Sequence, residues 1–385
     1  MTTAIVIGAG IGGLTTAVAL RRIGIDVTVY EASGQPRTTG TGLGIASNAT
    51  AVLDALDIDI RPLGAVVRNF ELFTRSGALM RRMPIAEITA ELGAPIVTIH
   101  RNALFGALRA AAGDTAVHYG AQATRYTRTD GGVRVDFADG AVAAADLLIG
   151  ADGFRSVVRA QLQGATAANE YGYICWLATT SFTHPRVTAG FAGHYWGAGE
   201  RFGLMDIGGG NVYWWGTKNV PVEVARDWQG GKAEVAAAYA DWAPEVRAVI
   251  AATEESAIVG VPAQDRRFSD QWGDGPVTLV GDAAHPMLTS LSQGAGSAIE
   301  DGYVLAHHLA TASDPVAALR NYEQERIPRT RKLVAGSRRL SRTEQLEQPI
   351  ARAVRDLALR YMPSPVVKRI NAEPMRFDVP VLQAR

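Results

Sequence analysis

Gly8, Gly10 and Gly13 stand at G-x-G-x-x-G spacing in "AIVIGAGIGGLTTAVALRRIG". Glycines so placed do one kind of chemistry: they bring bare backbone against a diphosphate. Gly8 permits the tight turn, Gly10 lets the chain approach a pyrophosphate, and Gly13 lets a helix pack close to a strand. Free N–H groups at the start of that helix, together with its positive dipole end, attract the anion. An acid, Glu31, closes the next apolar run, "IDVTVY", where a carboxylate can accept both hydroxyls of an adenosine ribose.

The surrounding elements fit that task. "AIVI" reads as a buried parallel strand, and Leu14, Ala17, Val18 and Arg21 follow at helical spacing up to Gly24. Strand, glycines, helix, strand and acid in this order point to dinucleotide binding. A second glycine-rich stretch, Arg37 to Leu56, enters a helix expected to be capped by Ser47 or Asn48. A nicotinamide dehydrogenase would continue with βα repeats, so this loop favours FAD.

Ile99 to Gly113 reads as an amphipathic helix with Leu104 and Leu108 inward and Arg101 at its start. That arginine either faces solvent or reaches the cofactor. "VRVDFADGA" is expected to turn as a hairpin at Asp139-Gly140. "DLLIGADGFRSVVR" is a strand running through Asp152 to a helix that carries Arg155 and Arg159. Its junction is either an ordinary turn or a second set of amides facing an anion. From Tyr171 to about Gln264 the chain turns β-rich and aromatic, with a hairpin at "GGGN". Tyr213 and Trp215 should share one face there and Trp214 the other. With Trp176, Tyr195 and Trp196, these rings either pack a core or wall a pocket for a flat ligand.

"PVTLVGDAAHPMLTSLSQGAGSAIED" places Asp282 at the carboxyl end of another buried strand and starts a helix near Gly294. Small residues there let a flat ring rest on backbone, with the helix's positive end stabilising negative charge on it. His285 could be an acid or base, but a structural role in its turn is the stronger reading.

"GAGIGG", "GADGFRSVVR" and "GDAAHPM…QGAGSAIED", in this order, resemble the group A flavoprotein monooxygenases of the para-hydroxybenzoate hydroxylase fold, closest to the salicylate and urate hydroxylase-like members. The resemblance covers nearly the whole chain. It implies an α/β fold: a Rossmann-like FAD-binding domain (1–72, 100–172 and 270–345), an inserted substrate-binding β-sheet domain (73–99 and 173–269) and a C-terminal helical segment (346–385). It implies noncovalent FAD, NADH or NADPH as reductant, O2 as oxidant and a flavin C(4a)-hydroperoxide as oxygen donor; no metal is expected.

Carried over by position, Gly8, Gly10, Gly12, Gly13, Leu14, Glu31 and Ala32 would hold the ADP half. Arg37, Gly44 and Arg101 would lie along the cofactor, with Ala123 at the adenine side. Asp152 and Arg155 fall in a motif serving FAD and NAD(P)H. Asp282 would bind the ribityl chain or pyrophosphate, and Ser292, Gln293, Gly294, Ala295 and Gly296 would cradle the flavin ring. Arg201, Tyr213 and His194 are candidates to activate the substrate. Thr289, Gly296 and Leu177 depart from residues usual in the family.

The implied function is oxygenation of an aromatic, heteroaromatic or polyketide-like small molecule. Epoxidation or Baeyer–Villiger insertion is the alternative, and a reductase or halogenase on the same scaffold is the rival, although no W-x-W-x-I-P stretch is present. Lys+Arg and Asp+Glu are both 38, which gives no case for nucleic acid or an anionic membrane. Cys175, the one cysteine, excludes an intrachain disulfide and reads as a buried thiol. "MTTAIVIGAG" lacks a basic secretory n-region, and no apolar run approaches the roughly 20 residues of a membrane helix. A cytoplasmic monomer or homodimer is the expectation.

Overall fold

The computed structural model describes residues 2–35 and 41–383. Five parallel strands form its central sheet, in the order Val277–Leu279, Leu147–Gly150, Thr3–Ile7, Asp26–Glu31, Ala116–Tyr119. Val277–Leu279, Leu147–Gly150 and Thr3–Ile7 are apolar runs buried on both faces, as helix-covered parallel strands are, while Asp26–Glu31 and the edge strand Ala116–Tyr119 are partly exposed. Helix Ile11–Arg22 crosses one face and packs on helix Gly294–Thr311. The contact is backbone-close: a Cβ on Gly302 would lie 2.7 Å from the Thr16 amide nitrogen.

A mixed seven-stranded sheet stands apart, in the order Val259–Arg266, Ala168–Ser181, Asn211–Asn219, Glu200–Asp206, Phe191–Trp196, Asn69–Thr74, Leu79–Arg82. Trp176, Tyr195, Phe202 and Trp214 point to one face, where helices Val222–Arg226, Lys232–Ala238 and Pro244–Ala252 cover them in a core of their own. Most of the sheet's aromatic residues are therefore core. Tyr213 and Trp215 alternate to the opposite face, as the period of two demands, and are only half buried. The expected hairpins form at Asp139-Gly140 and at Gly208 to Gly210.

Three local expectations are corrected. Helix Ser47–Ala55 has Ala46 as its N-cap and no side-chain cap; Ser47 and Asn48 lie buried within its first turn, Asn48 donating to Gln293. The helix expected from Ile99 begins at Arg101, because Val97–His100 is drawn into a strand beside Gly42–Ile45. Where "IPRTRKLVAGSRRLSRTEQLEQ" predicts a long helix broken at Pro328, with a further helix near Pro349 to Tyr361, helix Pro315–Glu344 runs unbroken through the proline. A proline there costs about 3 kcal/mol in a helix interior. Arg326 and Arg329, anchored to Glu300 and Asp301 on either side of it, hold the backbone in line. Helices Pro349–Tyr361 and Ser364–Ala372 follow.

Candidate active site

The first turn separates the work of its glycines. Gly8 has φ +106° and a Cβ there would sit 2.4 Å from the Ala151 carbonyl oxygen, while one on Gly13 would sit 1.9 Å from the Gly8 oxygen. Both are glycine because protein backbone fills the space. A Cβ on Gly10 would meet nothing within 4 Å, so Gly10 borders open space. Gly12 packs against Ala298 of the late helix, and Leu14 is core. Glu31 overhangs the turn, accepting from the Ala9 and Ser33 amides at 2.9 Å each. Each oxygen keeps lone-pair capacity for a further donor. Exposed Ala32 adjoins it, and the Ala121 amide bonds back to the Glu31 carbonyl, which brings buried Ala123 to the same sheet end. Arg37 lies outside the described residues.

The Ala151 amide donates to Ile7, so Asp152 stands beside this turn. Of the two readings of its junction the bonding favours the ordinary turn: Asp152 Oδ2 accepts from Val157 N (2.7 Å) and Val158 N (3.3 Å), and Ser156 Oγ from Arg159 N. Burial raises the Asp152 carboxyl, and Oδ1 is buried without a partner. Arg155 is exposed. Buried Arg159, absent from the expected site, does the joining instead, donating to the Asp282 (3.2 Å) and Ala283 (3.0 Å) carbonyls and to Phe154. Burial pushes its guanidinium down to about 10. The Asp282 side chain opens to solvent yet is hemmed in by protein, which raises its carboxyl against the pull of His285, Arg101 and Arg159. Arg101 thus faces the Asp282 end.

Ser292, at φ +52°, turns the chain into helix Gly294–Thr311, whose N-cap residue Gln293 supplies no side-chain cap. Gly294 and Ala295 open this helix with bare or nearly bare backbone. Asn48 donates to Gln293 Oε1 at 3.0 Å and to Glu300 Oε1 at 2.5 Å. A Cβ on Gly296 would fall 3.2 Å from Asn48 Nδ2, so Asn48 takes the room that a side chain at 296 would need. Below lies a closed charge network. Asp301 accepts from the Gly281 amide (2.9 Å) and Arg326 Nε (2.7 Å) and bonds His285 Nε2 (2.5 Å); Arg326 also pairs with Glu300 at 2.7 Å. His285 is therefore built into the floor.

Opposite, the free face of the seven-stranded sheet presents Leu177, His194, Arg201, Tyr213 and Trp215. Tyr213 lies on strand Gly42–Ile45, where a Cβ on Gly42 would strike it at 2.2 Å; Gly44, two residues on, borders open space. Trp215 lies across Gly203, with Arg201 Cζ 4.5 Å from its ring and His194 edge-on at 4.9 Å. Burial, then Arg201, pushes the His194 imidazole down to about 3, and burial raises the Tyr213 hydroxyl well above its ordinary value. Arg201 is tied to buried Glu344 at 2.5 Å. The wall brings the three candidates together but leaves none poised as a base near neutrality. Among the described residues no cluster could hold a metal ion.

The chain matches the family described as FAD binding domain over residues 1–337. It belongs to the group A FAD-dependent aromatic monooxygenases. Relatives of this monooxygenase include the aurachin C monooxygenase/isomerase of Stigmatella aurantiaca, 35% identical over 97% of both chains. The 3-amino-4-hydroxybenzoate 2-monooxygenase of Streptomyces cremeus is 34% identical over 94% of this chain and 92% of its own. Klebsiella pneumoniae HpxO, solved with FAD and uric acid, superposes with a TM-score of 0.92 at 29% identity, covering 97% of this monooxygenase and 96% of HpxO. The residues present fit the flavin nucleotide: bare backbone borders open space at Gly10, Gly44 and Gly153, a half-satisfied acid overhangs the turn, and helix Gly294–Thr311 starts on small residues without a side-chain cap.

Proposed function

We propose that this monooxygenase consumes NADH or NADPH and O2 to place one oxygen atom on an aromatic or heteroaromatic small molecule. The observation that carries the reading is the half-buried wall of Trp215, His194, Tyr213 and Leu177 set against bare backbone at Gly42–Ile45. A wall of half-buried rings suits a flat ligand. The ligands named for two similar proteins, an aminohydroxybenzoate and uric acid, are flat as well.

Gly8, Gly10, Gly12, Gly13, Leu14, Glu31 and Ala32 would hold the adenine nucleotide with Ala123. Arg37, Gly44, Arg101, Asp152 and Asp282 would follow the cofactor inward, and Ser292 to Gly296 would support its ring. Bound there, the flavin supplies the redox and oxygen chemistry. The chain's own residues orient the ring and exclude water. Arg201, Tyr213 and His194 position the substrate as neutral or internally compensated groups, so substrate ionisation would be promoted by field and hydrogen bonding rather than by a protein base. Residues 73–99 and 173–269 would form the substrate-binding unit.

Steady-state assay of the flavin-loaded protein with a panel of aromatic compounds under labelled O2 tests this. An active ligand should accelerate NAD(P)H oxidation and leave as product with one labelled oxygen. Reductant consumption that never labels a product, across the panel, refutes oxygenation.

A further inference from the structure

The last two helices present to solvent what the rest of the molecule hides. Helix Pro349–Tyr361 docks through Leu359, beside a core of Leu72, Met80 and Trp196, and through Arg355, whose guanidinium lies 5.0 Å from the Trp196 ring. Its other side carries Ile350, Val354, Leu357 and Tyr361, spaced i, i+4, i+7 and i+11, which makes one stripe along a helix. These side chains are 72%, 62%, 60% and 69% exposed. Helix Ser364–Ala372 adds Val366 and Ile370, also exposed. Single exposed apolar residues need no explanation, but six in one short segment do.

The segment is also basic. Between 349 and 372 stand Arg352, Arg355, Arg360, Lys368 and Arg369 against Asp356 alone, a local surplus in a chain of zero net charge. Asp356 compensates Arg355 and Glu91 compensates Lys368. Arg352, Arg360 and Arg369 form no ion pair among the described residues, and the latter two are exposed. Overall neutrality, from which no attraction to an anionic membrane is expected, averages this surplus away. An apolar stripe accompanied by unpaired arginines matches a lipid–water boundary, where the rings and branched chains enter the acyl margin and the cations meet phosphates. A second copy on the same stripe would set these cations against each other.

We propose that residues 349–372 dock this enzyme on a membrane surface bearing anionic lipid headgroups. No helix among the described residues is long and apolar enough to cross a membrane, so attachment is peripheral.

The test is cosedimentation of the full, flavin-loaded chain with phosphatidylcholine vesicles, with or without phosphatidylglycerol as roughly a third of the lipid. Binding to the anionic vesicles should be tighter by about tenfold or more and should weaken as salt screens the arginines. Val354→Ser/Leu357→Ser should lose most of this binding at unchanged Tm, because both positions are exposed. Arg360→Gln/Arg369→Gln should weaken it about fivefold per charge removed while leaving flavin content intact. Sedimentation with neither vesicle, or equal sedimentation with both, overturns the proposal. So does a concentration-dependent dimer that Val354→Ser/Leu357→Ser makes monomeric, which would assign the stripe to a second copy.

Discussion

Removing the Glu344 carboxylate tests the electrostatics of the aromatic wall. Arg201 Nη1 and Glu344 Oε1 are 2.5 Å apart, with side chains 4% and 2% exposed. Glu344→Gln leaves a guanidinium that water cannot reach without its counter-charge, which costs about 3–5 kcal/mol of stability. The reverse deletion is milder. Burial already raises the Glu344 carboxyl, so in Arg201→Met it can take up a proton and become neutral, at a cost of about 1–3 kcal/mol. Arg201→Met/Glu344→Gln discards both charges and should fall within about 1 kcal/mol of the parent. Urea denaturation of the four proteins should therefore give a coupling of about 2 kcal/mol or more. Glu344→Gln should also release Arg201 toward the wall. It should then favour 2-hydroxybenzoate over neutral 2-hydroxybenzamide by about tenfold relative to the parent, read as perturbation of flavin fluorescence. Single-variant losses that simply sum to the double variant's loss, with no shift in ligand preference, refute the reasoning.

Two further outcomes follow from the phosphate turn and the floor. Gly10→Ala should leave the flavin-free protein within about 0.5 kcal/mol of the parent yet bind FAD at least about tenfold more weakly, because only ligand space is entered. Gly13→Ala should lower both, since its Cβ meets the Gly8 carbonyl; equal Tm losses for the two would contradict this division. Burial pushes Asp301 up, but His285, Arg326 and the Gly281 amide together override it and bring it down to about 2. Its folded pKa is below the unfolded one, so stability present above about pH 4 is lost as pH falls toward 2. The loss should amount to about 2 kcal/mol and be absent from the pH profile of Asp301→Asn.

Features written in short windows were readable from the amino-acid order. The glycine turn, the helix from Gly294, the hairpin at Gly208 to Gly210 and helix Pro349–Tyr361 each carry their own period and punctuation. Long-range partners were not. Arg159 reads as an ordinary helical cation until it meets Asp282. Nothing near Arg201 announces Glu344, because the pair exists only once the long helix lies under the sheet. Pro328 argued for a break that tertiary anchoring overrides.

The most direct measurement of the central claim is the visible spectrum of the purified protein, with mass spectrometry of whatever denaturation releases. One noncovalent FAD per chain, lost in Gly13→Ala, is the predicted result. A colourless chain that takes up no FAD when it is supplied would contradict the account.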